Sequence, residues 1–275
     1  MNFLESLIYG LFSGLAEVLP ISSQGHQALM RIMFGSSGNT GLRDFLIHIA
    51  CLIALLIGSY PYLIRLYRLN LLAQRNRRRK KKENQKVTYE IRLLKNAALP
   101  LMIGIVLCAM FLRDNIGLLL IGALFALNAV VLFIQEHIAH GNKDASKLTG
   151  VDSLLLGACG AISVLPGISR TGIMLSFAVG RGADRTRALN WSLVLSIPAI
   201  AILLVLDLIS MVSAGLGVSN FVDFLGCLVS AIMAFAGTYS AILFMRFLTQ
   251  KNDYSLFAYY SLGAGMLSLI LYLSA

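Results

Sequence analysis

The chain has 275 residues, 57% hydrophobic and 13% charged, with a mean hydropathy of +0.77. A soluble domain carries about a quarter charged residues, so this composition excludes a water-exposed globular protein and makes the bilayer the solvent. Most of the net charge of +10 lies in one run between Arg65 and Lys86; flanked by apolar spans, such a run reads as a cytoplasmic loop meeting anionic headgroups, not as a nucleic-acid site.

In chain order, apolar stretches fall at about 3–19, 22–34, 45–64, 97–112, 116–135, 153–165, 171–181, 188–211, 221–246 and 254–273. The first carries Glu5 and lacks a basic leader, so it is not expected to be a cleaved signal peptide. A spanning helix needs about 20 apolar residues. Six stretches approach that length: 45–64, 97–112, 116–135, 188–211, 221–246 and 254–273. The other four form two pairs, each broken by a polar cluster: Pro20-Ile21-Ser22-Ser23-Gln24-Gly25, and Pro166-Gly167-Ile168-Ser169-Arg170-Thr171-Gly172. The arms are short and the breaks need protein or water around them, so each pair predicts a re-entrant hairpin, over 3–34 and 153–181.

Charge assigns the sides. With loop 65–96 inside, the first hairpin enters and leaves from outside, and spans 45–64, 97–112 and 116–135 run in, out and in. The second hairpin then starts and returns inside, at Arg181, Arg185 and Arg187, and the last three spans run out, in to Arg246 and Lys251, and out again. Nearly every basic cluster falls inside; Arg31, Arg43 and Arg113 are the exceptions. The predicted fold is all-α and integral to the membrane. It is a single membrane domain, 1–275, of six transmembrane helices plus two re-entrant helical hairpins in an inverted-topology repeat, with halves 1–135 and 151–275. Val18-Leu19-Pro20-Ile21-Ser22 echoes Val164-Leu165-Pro166-Gly167-Ile168-Ser169, as expected of broken helices meeting near the midplane.

The candidate chemistry sits at the breaks. Glu17 is an acid within the membrane, one turn before the first break, where a charge is costly and usually lines a cavity; the plainer alternative is a structural pair with Arg170. Arg170 suits a phosphate oxygen, and Ser169, Thr171 and Gly172 at the start of the following helix add an anion cradle. Ser22 reads as a helix cap or a phosphate contact, and Ser23 as an open candidate nucleophile. His26 reads as a general acid or base or a phosphate donor. His48 reads as a packing or pore-lining histidine, Asp207 as structural, and His137 and His140 as loop residues. Trp191 and the Tyr254–Tyr260 cluster read as interface anchors and packing residues. Cys51, Cys108, Cys159 and Cys227 are scattered and read as small core residues.

The stretch Ser13-Gly14-Leu15-Ala16-Glu17-Val18-Leu19-Pro20-Ile21-Ser22-Ser23-Gln24-Gly25-His26 resembles the first motif of undecaprenyl-diphosphate phosphatases of the bacitracin-resistance type. Leu165-Pro166-Gly167-Ile168-Ser169-Arg170-Thr171-Gly172 resembles their second, and the likeness continues through Arg181, Ser196-Ile197-Pro198 and Phe257-Ala258-Tyr259-Tyr260. The resemblance implies an inner-membrane enzyme that removes the terminal phosphate of a C55 isoprenyl diphosphate, with a site open to the outer face. It implies functional roles for Glu17, Ser23, His26, Ser169, Arg170 and Thr171. It also implies a divalent cation, Mg²⁺ or Ca²⁺, with Glu17 as its protein ligand, and partners that are the membrane and a polyprenyl diphosphate, with a homodimer as a further expectation. Two positions depart from the family pattern: Ser13 replaces the leading residue of E/Q-x-x-x-E, and Met174 replaces a frequent Thr. Inverted repeats also serve transporters, so a transporter or flippase for a polyprenyl phosphate or another anionic lipid is the alternative reading.

Overall fold

The computed structural model describes residues 2–35, 40–78, 85–112, 116–138, 141, 143, 145–218, 220–251 and 253–274. Arg79, Lys80, Lys81, Lys82, Arg113 and His140 lie outside the described residues. The helices among them are α1 (Phe3–Val18), α2 (Ser23–Met33), α3 (Gly41–Arg78), α4 (Gln85–Leu112), α5 (Leu118–His137), α6 (Gly150–Ala161), α7 (Arg170–Gly180), α8 (Arg185–Ala214), α9 (Phe221–Lys251) and α10 (Ser255–Ser274).

Six of these are long and apolar enough to cross a membrane: Gly41–Arg75, Thr88–Phe111, Leu118–His137, Arg185–Ala214, Phe221–Lys251 and Ser255–Ser274. They are the six expected spans, and the protein is an all-helical integral membrane protein. The other four helices have 16, 11, 12 and 11 residues. At 1.5 Å per residue none reaches across a hydrocarbon core of roughly 30 Å.

One expectation changes and one narrows. Segment 65–96 is not a loop over most of its length, because α3 continues to Arg78 and α4 begins at Gln85. Arg, Lys, Gln and Leu are good helix formers, so the helices run on where the apolar residues end. Glu90 in this extension accepts hydrogen bonds from Tyr62 Oη at 2.5 Å and from Trp191 Nε1 at 3.0 Å. Of the two roles read for Trp191, anchor and packing, its full burial leaves packing.

Helix α1 lies along α9, α6 along α4, and α5 along α10, while α3 packs on both α8 and α9. Lipid supplies no hydrophobic drive between helices, so close approach at small residues does the work of holding them together. Gly10 and Gly14 lay the α1 backbone on Ser230 and Ala234 of α9, where a Cβ would collide with the carbonyl oxygens. The same crossing is tied by hydrogen bonds from Ser230 Oγ to Ser6 O (2.8 Å) and from Thr238 Oγ1 to Gly14 O (3.1 Å).

At one end of the bundle three connections are joined: Lys143 N donates to Gly182 O (2.9 Å), and Glu136 accepts from Arg185 (3.1 Å) and from Tyr254 N (3.2 Å). At the other end Leu42 N donates to Leu216 O (3.1 Å), and Arg31 pairs with Asp44 at 2.6 Å. That pairing neutralises one of the three basic residues that fell on the outer side.

The crossing of α1 and α9 yields a test. Gly14→Leu should lower the melting temperature of the detergent-purified protein, at an overpacking cost of about 1–3 kcal/mol. Gly117→Leu, which faces open space, should not. Equal melting of the two variants by circular dichroism would refute the close-packing account.

Candidate functional site

Pro20 ends α1, since it lacks an N–H and forces Leu19 into an extended conformation (φ −65, ψ 148). Ser22 then starts α2 as its N-cap, its Oγ accepting from Gly25 N at 3.2 Å. Its φ of +69 makes Ser22 the one non-glycine residue with positive φ among the described residues. Such a conformation costs roughly 1–3 kcal/mol and persists only where its surroundings hold it. The surroundings here are the second break: Gly167 N also donates to Ser22 Oγ, at 2.9 Å.

The second break is built in the same way. Ser169 caps α7 by accepting from Gly172 N at 3.2 Å, and its hydroxyl donates to Leu19 O of the first break at 3.2 Å. Each capping serine thus closes its own helix and bonds the opposite break. Asn128 of α5 completes the link: its Nδ2 donates to Pro20 O (3.0 Å) and Ser261 Oγ (3.1 Å), and its Oδ1 accepts from Ser169 N (3.0 Å). Gly25 is required at this crossing, because a Cβ there would come within 2.8 Å of Gly167 N.

Between the breaks, Arg170 forms an ion pair with Glu17, and its Nε donates to Ser196 Oγ of α8 at 3.1 Å. Glu17 is 4% and Arg170 8% exposed. Ser23 lies against the Glu17 carboxylate, and these three side chains with Ser163 line a cavity of about 10 Å³. That volume suits a single water. Thr171 Oγ1 is buried with no partner among the described residues, as is Ser13 Oγ.

The structure therefore brings Glu17, Ser23 and Arg170 together, while Thr171 follows Arg170 in α7 without lining that cavity. Of the residues expected at the phosphate, Ser22 Oγ accepts from Gly25 N and Gly167 N, Ser169 Oγ donates to Leu19 O, and Gly172 N donates to Ser169 Oγ in the α7 cap. His26 does not line the small cavity. Its Nδ1 lies 2.8 Å from Ser22 O, a carbonyl that can only accept, so Nδ1 carries the hydrogen. In the neutral ring Nε2 then accepts from Tyr260 Oη at 2.8 Å. The imidazole is stacked on Tyr260, with centroids 5.5 Å apart and planes at 16°.

Sequence reasoning missed Asn128, and it read Tyr260 as an anchor or packing residue. An amide in the middle of the most apolar span was the available signal for Asn128. No local signal links residue 260 to residue 26. His48 of α3, left as a packing residue, pairs with Asp207 of α8 at 2.5 Å, both fully buried.

For the expected cation, no three His, Cys, Asp or Glu side chains converge on a metal site among the described residues. Mg²⁺ is commonly held by one carboxylate together with substrate phosphates. The hard oxygens of Glu17 and Ser23 fit a cation that arrives on a diphosphate.

Asn128→Leu leaves Pro20 O and Ser169 N buried without partners, at about 1–3 kcal/mol each. The variant should still insert in the membrane but melt earlier and lose activity, measured on the same purified sample. Wild-type melting and turnover would remove Asn128 from the site's framework.

The model of the bacitracin resistance protein BacA family matches residues 6–267. The chain is 31% identical to an undecaprenyl-diphosphatase of Carboxydothermus hydrogenoformans, over 98% of each chain. It is 30% identical to one of Treponema denticola, over 97% of this chain and 96% of that protein. It is 27% identical to undecaprenyl-diphosphatase 3 of Bacillus cereus, over 98% of each. With both breaks inside the matched region, the chain belongs to the bacitracin resistance protein BacA family.

Proposed function

We propose that this protein is an integral-membrane hydrolase that converts undecaprenyl diphosphate to undecaprenyl phosphate and inorganic phosphate. That activity recycles the lipid carrier for peptidoglycan synthesis and confers bacitracin resistance. The observation that carries the reading is the buried Glu17–Arg170 pair held between two cross-linked helix breaks, in a chain whose family relatives are named for this activity.

In this reading α1–α2 and α6–α7 are re-entrant hairpins of two halves with inverted topology. Their short lengths support it, and so does the pairing of helices. Exchanging the first five helices for the last five turns α1–α9 into α6–α4 and leaves α5–α10 and α3–α8 unchanged. The protein sits in the bacterial cytoplasmic membrane with the α3–α4 extension in the cytoplasm. Arg65, Arg68, Arg92, Arg181, Arg187 and Lys251 gather at that end, as the positive-inside rule requires. The site opens to the outer face. The homodimer expected from the resemblance belongs to the same proposal and is read as native mass in detergent.

The terminal phosphate takes the guanidinium of Arg170, whose plane Ser196 fixes, and accepts from the unpartnered Thr171 hydroxyl at the start of α7. These donors are preorganised for the charge that builds on the phosphoryl oxygens. Glu17, released from Arg170, accepts the proton of the attacking oxygen, which belongs to water or to Ser23. If Ser23 attacks, water then hydrolyses the phosphoserine. The bond between the terminal phosphorus and the bridging oxygen breaks, and undecaprenyl phosphate leaves. His26 works through Nε2, the nitrogen not committed to Ser22: after taking up a proton there it donates it, as the imidazolium, to the leaving oxygen. A Mg²⁺ or Ca²⁺ carried in on the diphosphate would be held by Glu17 and Ser23 and would offset phosphate charge.

Arg170→Lys keeps the charge but loses the planar fork, and Glu17→Gln loses the base. Each should cut phosphate release from undecaprenyl diphosphate by about a hundredfold or more, the order of a lost preorganised donor. Wild-type release by both variants would overturn the hydrolytic reading, and lipid movement in proteoliposomes without any release would favour transport. Separately, a chelator should suppress release and added Mg²⁺ or Ca²⁺ should restore it. A rate indifferent to both would remove the cation.

A further inference from the structure

A second, larger cavity of about 550 Å³ lies between α1, α2 and α10. Its lining is almost wholly apolar, with Phe12 of α1, Leu29 and Met30 of α2 and Gly263 of α10 among its walls. On α2 it extends from His26 to Met33 and on α10 from Tyr260 to Leu267, each set spaced i, i+3, i+4, i+7 along one face. Seven residues of helix make a groove roughly 10 Å long. One end is closed by His26 stacked on Tyr260, and the other runs toward the exposed Met33 at the end of α2.

His26 thus stands in two places. Its ring forms the wall of the apolar groove, and its backbone belongs to the first break, one helical turn from Ser23 in the small polar cavity. A ligand that fills both cavities must be an apolar chain ending in a phosphate group. The nitrogen that would meet that phosphate, Nε2, is occupied by the Tyr260 hydroxyl. A phosphate oxygen can accept from Nε2 only once that hydroxyl has moved and Nε2 has taken up a proton, and the ring that carries the hydroxyl is part of the groove wall.

We infer that this groove seats the head-proximal isoprene units of the substrate tail, and that Tyr260 is a positioning residue that couples tail occupancy to the release of His26. The substrate class and the coupling rest on the hydrolytic reading; the groove does not. A chain in the groove packs against the Tyr260 ring and turns its hydroxyl away from Nε2, so that His26 becomes available only beneath a lipid. Diphosphates without a tail, including soluble nucleotides, leave His26 masked. The device would make an open site selective for lipid diphosphates without recognising the phosphates differently.

The test uses Gly263, where an added side chain meets open space and disturbs no packing. In protein whose native cysteines are replaced, Gly263→Cys places a thiol in the groove. Farnesyl diphosphate should slow its maleimide labelling by about tenfold at saturation, the equivalent of ~1.4 kcal/mol of occupancy. Inorganic pyrophosphate should not. Absent protection, equal protection by pyrophosphate, or equal protection by a diacyl phospholipid would each overturn the groove assignment. This readout needs no turnover, so protection in a protein that releases no phosphate would sink the hydrolytic reading and leave the groove standing. For the coupling, Tyr260→Phe should narrow the ratio of kcat/KM for farnesyl over dimethylallyl diphosphate by about tenfold. A structural role would lower both rates by one factor and leave the ratio unchanged, which would overturn the coupling.

Discussion

A helix that stops inside a membrane leaves N–H and C=O groups with no water to meet them, and each buried orphan costs several kcal/mol. Two helices stop here, after Val18 and after Ala161, and the chain resolves both faults with one another. Ser22 accepts from Gly167 N, and Ser169 donates to Leu19 O. Asn128 bonds Pro20 O and Ser169 N with the two ends of one amide. The two breaks are therefore one structure contributed by two distant segments. The left-handed backbone of Ser22 is the local cost of that arrangement, and the two hydrogen bonds its Oγ accepts, from Gly25 N and Gly167 N, are what hold it.

That cross-link places the charges. Glu17 ends α1 and Arg170 begins α7, so fastening the two breaks brings carboxylate and guanidinium into contact. A buried pair of this kind stabilises little by itself, because desolvation offsets most of the Coulombic attraction. Its value is chemical. In the proposed mechanism an anionic phosphate replaces Glu17 at the guanidinium while Nε keeps donating to Ser196 Oγ. It then frees the carboxylate as a base beside Ser23. Near it, His48 and Asp207 form a second buried pair between α3 and α8.

Helix α2 separates two environments. Ser23 at its first turn faces the polar cavity, whereas the stripe from His26 to Met33 faces the apolar groove and α10. An amphiphilic substrate with a charged head and a long apolar tail needs this adjacency, because either half alone would pay heavily for entering the other's surroundings. His26 is at the boundary, with one nitrogen fixed by the backbone of the break and the other held by a tyrosine of the groove.

Length and hydropathy along the chain determined the six spans, the four short arms and the two polar breaks, since a bilayer imposes one length and one composition on anything that crosses it. Glu17 and Arg170 were legible for the same reason: a charge in an apolar setting is conspicuous wherever it falls. Ser23 was legible from its place at the break. The division of labour among the hydroxyls was not, because Ser22, Ser169 and Thr171 are alike in sequence and only their partners distinguish two cross-linking caps from one unpartnered donor. Segment 65–96 read as a loop because charge marked its side of the membrane while saying nothing against a helix, and Trp191 read as both anchor and packing residue because Glu90 lies a hundred residues away. Asn128, Tyr260 and the His48–Asp207 pair were decided by tertiary structure alone. Each acts through a contact between helices far apart in the chain, and helix periodicity records which face is polar without recording what that face meets.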